Sequence, residues 1–179
     1  HGGGGVLPEP PQQPHPPTWM AATSTPALDW AAAAGHSILM DPHSSRAELL
    51  RKRRYYAEKL AEAGHSDAGR TIPMARLIAV DESAEKARAI ARRTAEWTVA
   101  AYTGPKHTAN IRQEARSYGG KDPVDYYLDD VMIHGTPQGV ADQIQALADE
   151  VGMTYLMVAP MSARSFQLMT DKVLPRIAG

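Results

Sequence analysis

Short apolar runs alternate along the chain with longer segments whose apolar residues recur at helical spacing. The runs lack the polar alternation of a half-exposed strand, which is typical of parallel strands buried on both faces. They lie at residues 18–23, 36–40, 72–80 and 154–159. Strands that alternate with helices predict right-handed βαβ units and a parallel sheet. The pattern therefore predicts an α/β fold with four such units, half the number that a closed (β/α)8 barrel requires.

Local residue chemistry predicts where the helices begin and end. Thr25-Pro26 indicates a helix start with Thr25 at the N-cap and Pro26 at the first helical position, and Thr136-Pro137 repeats this pattern. Ser45 and Glu48 form a capping-box sequence that opens a long helix, and Ser162 caps the last one. Glycines suited to C-terminal positions follow three predicted helices, at Gly35, Gly64 and Gly152.

Three stretches depart from this rhythm. Residues 1–17 combine a four-glycine run with several prolines, which excludes a helix or central strand and predicts a lead-in loop. Residues 102–128 contain Gly-Pro, Gly-Gly and Asp-Pro pairs, and they predict an insertion with one or two short helices. Residues 131–133 form a short extended lead before the next helix. The predicted organisation is a loop over 1–17 followed by a half-barrel over 18–179.

Composition and charge narrow the function classes. The 179 residues are 43% hydrophobic and 22% charged with a net charge of −1, which gives no overall field to recruit nucleic acid or a membrane. The absence of Cys excludes disulfides, thiolate nucleophiles and Cys-ligated zinc. No apolar run approaches the roughly 20 residues that span a bilayer, and no signal peptide is visible, so we expect a cytoplasmic protein. Because the chain begins at His1 rather than Met, we expect its natural start to lie upstream.

Common motifs for catalysis are absent from the sequence. There is no G-x-S-x-G nucleophile elbow and no P-loop, and the N-terminal glycine run does not follow a strand as a dinucleotide fingerprint would. His36 and His43 flank one predicted strand, but we expect no metal site there. The basic run at residues 51–54 fits the solvated face of a long helix rather than a phosphate contact or targeting signal.

The strongest local signal for a ligand is the junction of the first strand and the first helix. Thr23, Ser24 and Thr25 place three hydroxyl groups where a parallel strand leads into a helix N-terminus. Free N–H groups and the positive end of the helix dipole point at the same spot, which suits a phosphate. The alternative is that Ser24 and Thr25 merely cap the helix. Thr136 has the same two interpretations, and Gly135 before it suits either a close ligand approach or a turn.

A charged residue inside the third strand also needs a partner. Arg76 lies within the apolar run 72–80, and a buried guanidinium is costly unless it is paired. It either faces the barrel lumen and binds an anion, or it points outward and pairs with a helix carboxylate. His134 and Tyr118 are isolated residues for which we expect structural roles.

Several segments together resemble one enzyme family. The pattern P-H-P-P-x-W-x-A-A-x-S over residues 14–24 resembles a Pro-rich segment of luciferase-like monooxygenases. Residues 35–39 resemble the next strand of that family, and Gly135-Thr136-Pro137 with its helix resembles a Gly-Thr-Pro segment. Residues 157–162 and the closing helix resemble the eighth strand and C-terminus. The resemblance covers nearly the whole chain, and it matches only the second half of the family pattern.

The resemblance implies the C-terminal half of a (β/α)8 barrel, with residues 102–128 as an insertion. It also implies that reduced FMN, or in other branches a deazaflavin, binds at the C-terminal face of the strands, with its phosphate at Ser24 and Thr25. The hydroxyl group of Thr23 lies next to these two residues, and Arg76 would join them if it faces the barrel lumen. The predicted cofactor-binding residues are therefore Thr23, Ser24, Thr25 and Arg76. No catalytic residue is predicted, because the family's active-site histidine belongs to the half with no counterpart here.

The activity implied by the resemblance is the O2-dependent oxidation of an organic substrate, with a flavin reductase as the source of reduced flavin. One alternative is a deazaflavin-dependent dehydrogenase on the same fold. Another is a non-catalytic flavin-binding half-barrel. An isolated half-barrel would expose two strand edges and half a core. We therefore expect either a homo-oligomer or completion by a missing N-terminal half.

Overall fold

A computed structural model describes residues 16–103 and 118–177. The strands are β1 (Trp19–Ala21), β2 (Ser37–Leu39), β3 (Pro73–Val80), β4 (Ile133–Gly135) and β5 (Tyr155–Pro160). The α-helices are α1 (Thr25–Ala33), α2 (Arg46–Glu62), α3 (Ala84–Thr103), α4 (Pro123–Tyr126), α5 (Pro137–Val151), α6 (Ala163–Leu168) and α7 (Leu174–Ile177). Two π-helical turns, Tyr127–Val131 and Met169–Val173, continue α4 and α6. Most of the predicted lead-in loop and part of the predicted insertion lie outside the described residues.

The central strand of the sheet is β3. Its Pro73 carbonyl accepts a hydrogen bond from the Met40 N–H at 2.9 Å, and its Ala75 N–H donates to the Met40 carbonyl at 3.3 Å, which joins the end of β2 to one edge. On the other edge β5 pairs along Pro73–Ile78. The strand β4 pairs with Ile78–Val80 on the edge of β3 opposite to β5, which is the edge that Met40 also contacts. Since β1 pairs with β2 and each pairing is parallel, the predicted parallel α/β architecture is confirmed.

The two faces of the sheet have different neighbours. Ile38, Met74 and Ile78 point to one face, where they form the main core with α1, α2, α5 and α6. The helices contribute core side chains that include Leu28, Leu49, Leu60, Ile144 and Leu168. Because side chains alternate along a strand, the intervening residues point to the opposite face, called the inner face below. Helices thus cover the outer face, as they do in a (β/α)8 barrel.

Much of the inner face is open. Trp19 in β1 and Tyr155 in β5 both point to it, and their ring centroids lie 5.4 Å apart. This contact joins the first and last strands, so the sheet curves toward its inner face. The two residues nevertheless remain 42% and 49% exposed. Among the described residues, β1 and β5 each have one edge without a strand partner. An open inner face between two unpaired edges is what half of a barrel presents.

A second core covers the C-terminal end of β3. Ala79 packs there against Ala91 and Ala95 of α3, together with aromatic and aliphatic residues of α4 and its π-helical turn. Alanines four residues apart on one helix face allow the close approach of α3. The described part of the predicted insertion, residues 102–103 and 118–128, thus contains the end of α3, the short helix α4 and the start of its π-helical continuation. It holds this end of the sheet in place.

The helix starts agree with the sequence predictions except at α1. Ser45 and Glu48 form both hydrogen bonds of the predicted capping box, and Ser162 caps α6. At α1 the N-cap is Ser24, one residue earlier than predicted, because Thr25 already has helical geometry and its predecessor is extended. The extended lead predicted at residues 131–133 is shifted for a similar reason. The π-helical turn extends to Val131, so β4 begins only at Ile133.

Candidate functional site

Three of the predicted cofactor-binding residues lie together at the C-terminal edge of the sheet. Thr23, Ser24 and Thr25 connect β1 to α1, and all three are exposed. The loops that follow β2 and β3 begin at the same edge, because the three strands are parallel. In (β/α)8 barrels, loops at this edge form the active site.

The hydroxyl group of Ser24 is not used for helix capping. Ser24 has the extended backbone of an N-cap, with φ −102° and ψ 156°, but its side chain makes no capping hydrogen bond. The equivalent hydroxyl groups of Ser45, Thr136 and Ser162 each accept a hydrogen bond from the backbone N–H three residues on. The alternative interpretation of Ser24, as a simple cap, therefore does not describe this structure.

The first turn of α1 has unused hydrogen-bond donors. The Leu28 N–H donates to the Ser24 carbonyl at 3.0 Å, whereas the N–H groups of Thr25 and Ala27 have no acceptor among the described residues. Pro26 carries no N–H. These two donors, the hydroxyl groups of Ser24 and Thr25 and the positive end of the helix dipole converge on one exposed region. A phosphate ester accepts hydrogen bonds from all of these groups, so the residues fit the phosphate of a flavin nucleotide.

The loop after β2 is fixed by a buried ion pair. Lys52 Nζ lies 3.1 Å from Asp41 Oδ2, which also accepts from the Ser44 hydroxyl at 2.8 Å, and the His43 N–H donates to Asp41 Oδ1 at 2.9 Å. Burial raises the pKa of Asp41, but Lys52 and the hydrogen bonds outweigh it and hold that pKa below its usual value. Asp41 therefore stays ionised and anchors this loop to α2.

Two tyrosines join the described part of the insertion to this loop. The Tyr126 hydroxyl donates to Glu48 Oε2 at 2.6 Å and accepts from the Ser45 N–H at 3.1 Å. The Tyr127 hydroxyl lies 3.3 Å from His43 Nδ1. Sequence reasoning considered His43 only as a metal ligand and missed its position at the C-terminal edge. The signal that could have found it is its place just after a predicted parallel strand.

Arg76 does not join Thr23, Ser24 and Thr25. It lies between Met74 and Ile78 in β3, so it points to the outer face, and it is only 1% exposed. Its Nη1 donates to the Ser44 carbonyl at 3.0 Å, and no carboxylate of the described residues lies within ion-pair distance. Burial lowers the pKa of Arg76 to about 10, a shift that Asp41 and Tyr126 partly oppose. Of the two alternatives, the outward direction is observed, but a backbone carbonyl replaces the expected helix carboxylate.

The remaining candidate residues have structural contacts. Thr136 accepts from the Gly139 N–H at 3.3 Å and so caps α5. His134 Nε2 lies 3.1 Å from the Leu128 carbonyl, and burial lowers the pKa of this histidine. The Tyr118 ring packs edge-on against Tyr126 at 5.3 Å.

The part of the chain that the structure describes contains no group of three or more His, Asp or Glu side chains that could hold a metal ion. No helix in residues 16–103 or 118–177 is both long and apolar enough to cross a membrane.

Solved structures with the same fold contain both monooxygenases and coenzyme F420-dependent enzymes. A monooxygenase from Streptomyces bottropensis is 22% identical with a TM-score of 0.63, and the match covers 94% of this chain and 50% of that one. The oxygenating constituent of 3,6-diketocamphane monooxygenase from Pseudomonas putida, solved with FMN, is 19% identical with a TM-score of 0.62. That match covers 89% of this chain and 48% of the other. The coenzyme F420-dependent tetrahydromethanopterin reductase from Methanopyrus kandleri is 20% identical with a TM-score of 0.59. That match covers 90% of this chain and 51% of the other. The chain thus spans about half the length of these proteins.

The sequence itself matches a family model. The model is described as luciferase-like monooxygenase, and it matches residues 3–155. A search of curated proteins finds no match. The likeness to the solved structures agrees with the predicted fold class, an α/β half-barrel with parallel strands. Because the family model covers most of the sequence, the chain belongs to the luciferase-like monooxygenase family.

Proposed function

We propose that this chain supplies the phosphate-binding part of a flavin-dependent monooxygenase that uses reduced FMN and O2 to oxidise an organic substrate. The observation that carries the proposal is that the Ser24 hydroxyl, at the exposed N-terminus of α1, makes no capping hydrogen bond. Family membership supports the reaction class, and a neighbour solved with FMN supports the cofactor.

The residues at the N-terminus of α1 would hold the cofactor by its phosphate. The Ser24 and Thr25 hydroxyl groups and the N–H groups of Thr25 and Ala27 are the donors, and Thr23 lies next to them. Reduced FMN, once bound, would supply the electrons for the reaction with O2. The task of this chain is to fix the position of the phosphate, and through it the direction in which the cofactor lies along the C-terminal edge.

The other half of the site would come from a second segment. The matched proteins are about twice as long as this chain, and the inner face between the unpaired edges of β1 and β5 is open. We propose that a further half-barrel covers this face and brings the catalytic residues, so none is assigned within this chain. A second copy of the chain is the other way to cover it. A flavin reductase would supply the reduced cofactor.

A deazaflavin-dependent dehydrogenase is the second candidate. It is favoured by structural neighbours that depend on coenzyme F420, among them a secondary alcohol dehydrogenase. The same α1 donors would serve a deazaflavin phosphate. Hydride transfer from substrate without consumption of O2 would distinguish this reaction from monooxygenation.

The experiment is a titration of the purified chain with FMN, followed by the quenching of flavin fluorescence. A Ser24→Ala/Thr25→Ala double variant should bind about a hundredfold more weakly, because it loses two hydrogen bonds to a charged group at roughly 1.5 kcal/mol each. Thr136→Ala is the matched control, since it removes a hydroxyl group that caps another Thr-Pro helix. Saturable binding that the double variant retains in full would contradict the proposal.

A further inference from the structure

A cavity lies on the outer side of the sheet, away from the N-terminus of α1. Its volume is about 760 Å³, and its walls come from α2, α5, β3 and the segment 118–133. None of residues 23–27 lines it. Volumes of this size are typical of sites for small organic molecules. The cavity is lined by neither β1 nor β5, so a segment that covered the inner face and the two open edges would leave it accessible.

Arg76 is the buried charge that lines this cavity. Its guanidinium carries five N–H groups, of which one donates to the Ser44 carbonyl. The carboxylate that acts on it electrostatically is that of Asp41, and Asp41 is already bonded to Lys52. A buried guanidinium with one neutral acceptor retains both charge and donors for a further partner.

The acidic groups in the cavity wall are already engaged by protein partners. Glu48 accepts hydrogen bonds from Tyr126 and Ser45. Asp129 pairs with Arg88, and Asp130 pairs with Lys121.

The cations of the wall are less fully compensated. Arg46 pairs with Glu150, but Arg51 at the exposed rim has no ion pair among the described residues. Arg76 inside and Arg51 at the rim outnumber Glu48, whose own hydrogen-bond partners are neutral, so the wall retains a net positive charge. This charge favours an anionic ligand.

The wall also has an apolar part. Leu50, Val131, Met132, Ile133 and Leu147 line the cavity. An apolar surface beside one buried guanidinium suits a molecule with one charged end and a hydrocarbon body. A planar carboxylate accepts two parallel hydrogen bonds from a guanidinium, which a point-like partner does not.

We propose that this cavity binds an organic carboxylic acid, with its carboxylate on Arg76 and its hydrocarbon body against α5 and residues 131–133. The acid would contact β3, α5 and residues 131–133 at once, and so hold these three parts together. The site shares no residue with the phosphate site at α1. Binding of a carboxylate and binding of FMN therefore succeed or fail independently.

Octanoate is a suitable probe, with 1-octanol as the uncharged control of equal length and octyl phosphate as the alternative anion. Isothermal titration calorimetry on the full chain should show saturable binding of octanoate, with octanol at least about tenfold weaker because it lacks the charge-assisted hydrogen bonds. Equal binding of octanoate and octanol would overturn the proposal. Tighter binding of octyl phosphate than of octanoate would overturn the assignment to carboxylates.

Three variants locate the site. Arg76→Met keeps the apolar volume and removes the charge, and Ala47→Trp fills the cavity from an exposed position on α2. Each should lose octanoate binding by at least about tenfold. Arg54→Met is the matched control, because Arg54 is an exposed arginine of α2 outside the cavity, and it should bind as the wild type does. If Arg76→Met fails to fold, Ala47→Trp decides, and wild-type affinity in Ala47→Trp would overturn the proposal.

Discussion

Removal of the hydroxyl group from Ser24 should leave the stability of the chain almost unchanged. This is unusual, because replacing an N-cap Ser or Thr by Ala typically costs about 1 kcal/mol. The reason lies in the hydrogen bonds. Ser24 makes no side-chain cap, whereas the Thr136 hydroxyl accepts from the Gly139 N–H and Ser45 forms a complete capping box. The three variants Ser24→Ala, Thr136→Ala and Ser45→Ala therefore form a matched series.

The expected sizes follow from these contacts. Ser24→Ala changes an exposed side chain without a partner, so its free energy of unfolding should stay within about 0.5 kcal/mol of the wild type. Thr136→Ala should cost about 1 kcal/mol. Ser45→Ala should cost about 1–2 kcal/mol, because the cap lies in a mostly buried region beside Tyr126. For a domain of this size, 1 kcal/mol corresponds to a shift of about 2–4 °C in Tm.

Urea denaturation followed by far-UV circular dichroism measures the three differences under one set of conditions. The m-values should stay equal, so that changes in midpoint report stability alone. A loss in Ser24→Ala as large as that in Thr136→Ala would show that the Ser24 hydroxyl is a structural cap. That result would remove the observation on which the proposed phosphate site depends.

Three further predictions concern contacts elsewhere. Ser165→Ala should lower the free energy of unfolding in urea by about 2–4 kcal/mol. The buried Ser165 hydroxyl accepts from the Val80 N–H and donates to the Val80 carbonyl, each at 3.0 Å, and both backbone groups would be left unsatisfied. A loss below about 1 kcal/mol would contradict this. Asp41 has a lowered pKa, so its contribution is complete above its ordinary value of 3.8 and is lost as the pH falls below it. Asp41→Asn should flatten the stability profile in that acid range, and an unchanged profile would contradict the ion-pair assignment. Gly35→Ala should destabilise the chain more than Gly64→Ala. Both glycines have a positive φ, but only at Gly35 would a Cβ lie 2.9 Å from the His65 ring. Equal melting temperatures of the two variants would refute this.

Local patterns were enough to predict the main elements. Apolar runs without alternation correspond to β1, β2, β3 and β5. The predicted burial on both faces holds for β3 but not for β1 and β5, because the inner face beside them is open. Hydroxyl residues and glycines marked helix ends because capping is a matter of the nearest few residues. The shift of one residue at Ser24 shows the limit of this reasoning. Thr25-Pro26 fits a helix start at either of two positions, and only the backbone geometry decides between them.

The features that were not predicted depend on contacts between distant parts of the chain. The direction of Arg76 follows from the alternation set by the register of β3, and its acceptor is the carbonyl of Ser44, 32 residues away. The hydrogen bond from Tyr126 to Glu48 spans 78 residues. No periodicity encodes such a pair, so the cavity beside Arg76 and the anchoring of the insertion became visible only in the structure.

The central claim is that the N-terminus of α1 holds a flavin by its phosphate. The most direct measurement compares the affinity of the chain for FMN with its affinity for riboflavin, which lacks the phosphate, in the wild type and in the Ser24→Ala/Thr25→Ala variant. The account predicts that the wild type binds FMN more than a hundredfold more tightly than riboflavin and that the double variant loses about a hundredfold of this difference. Equal affinity of the wild type for FMN and riboflavin, or an undiminished difference in the double variant, would contradict it.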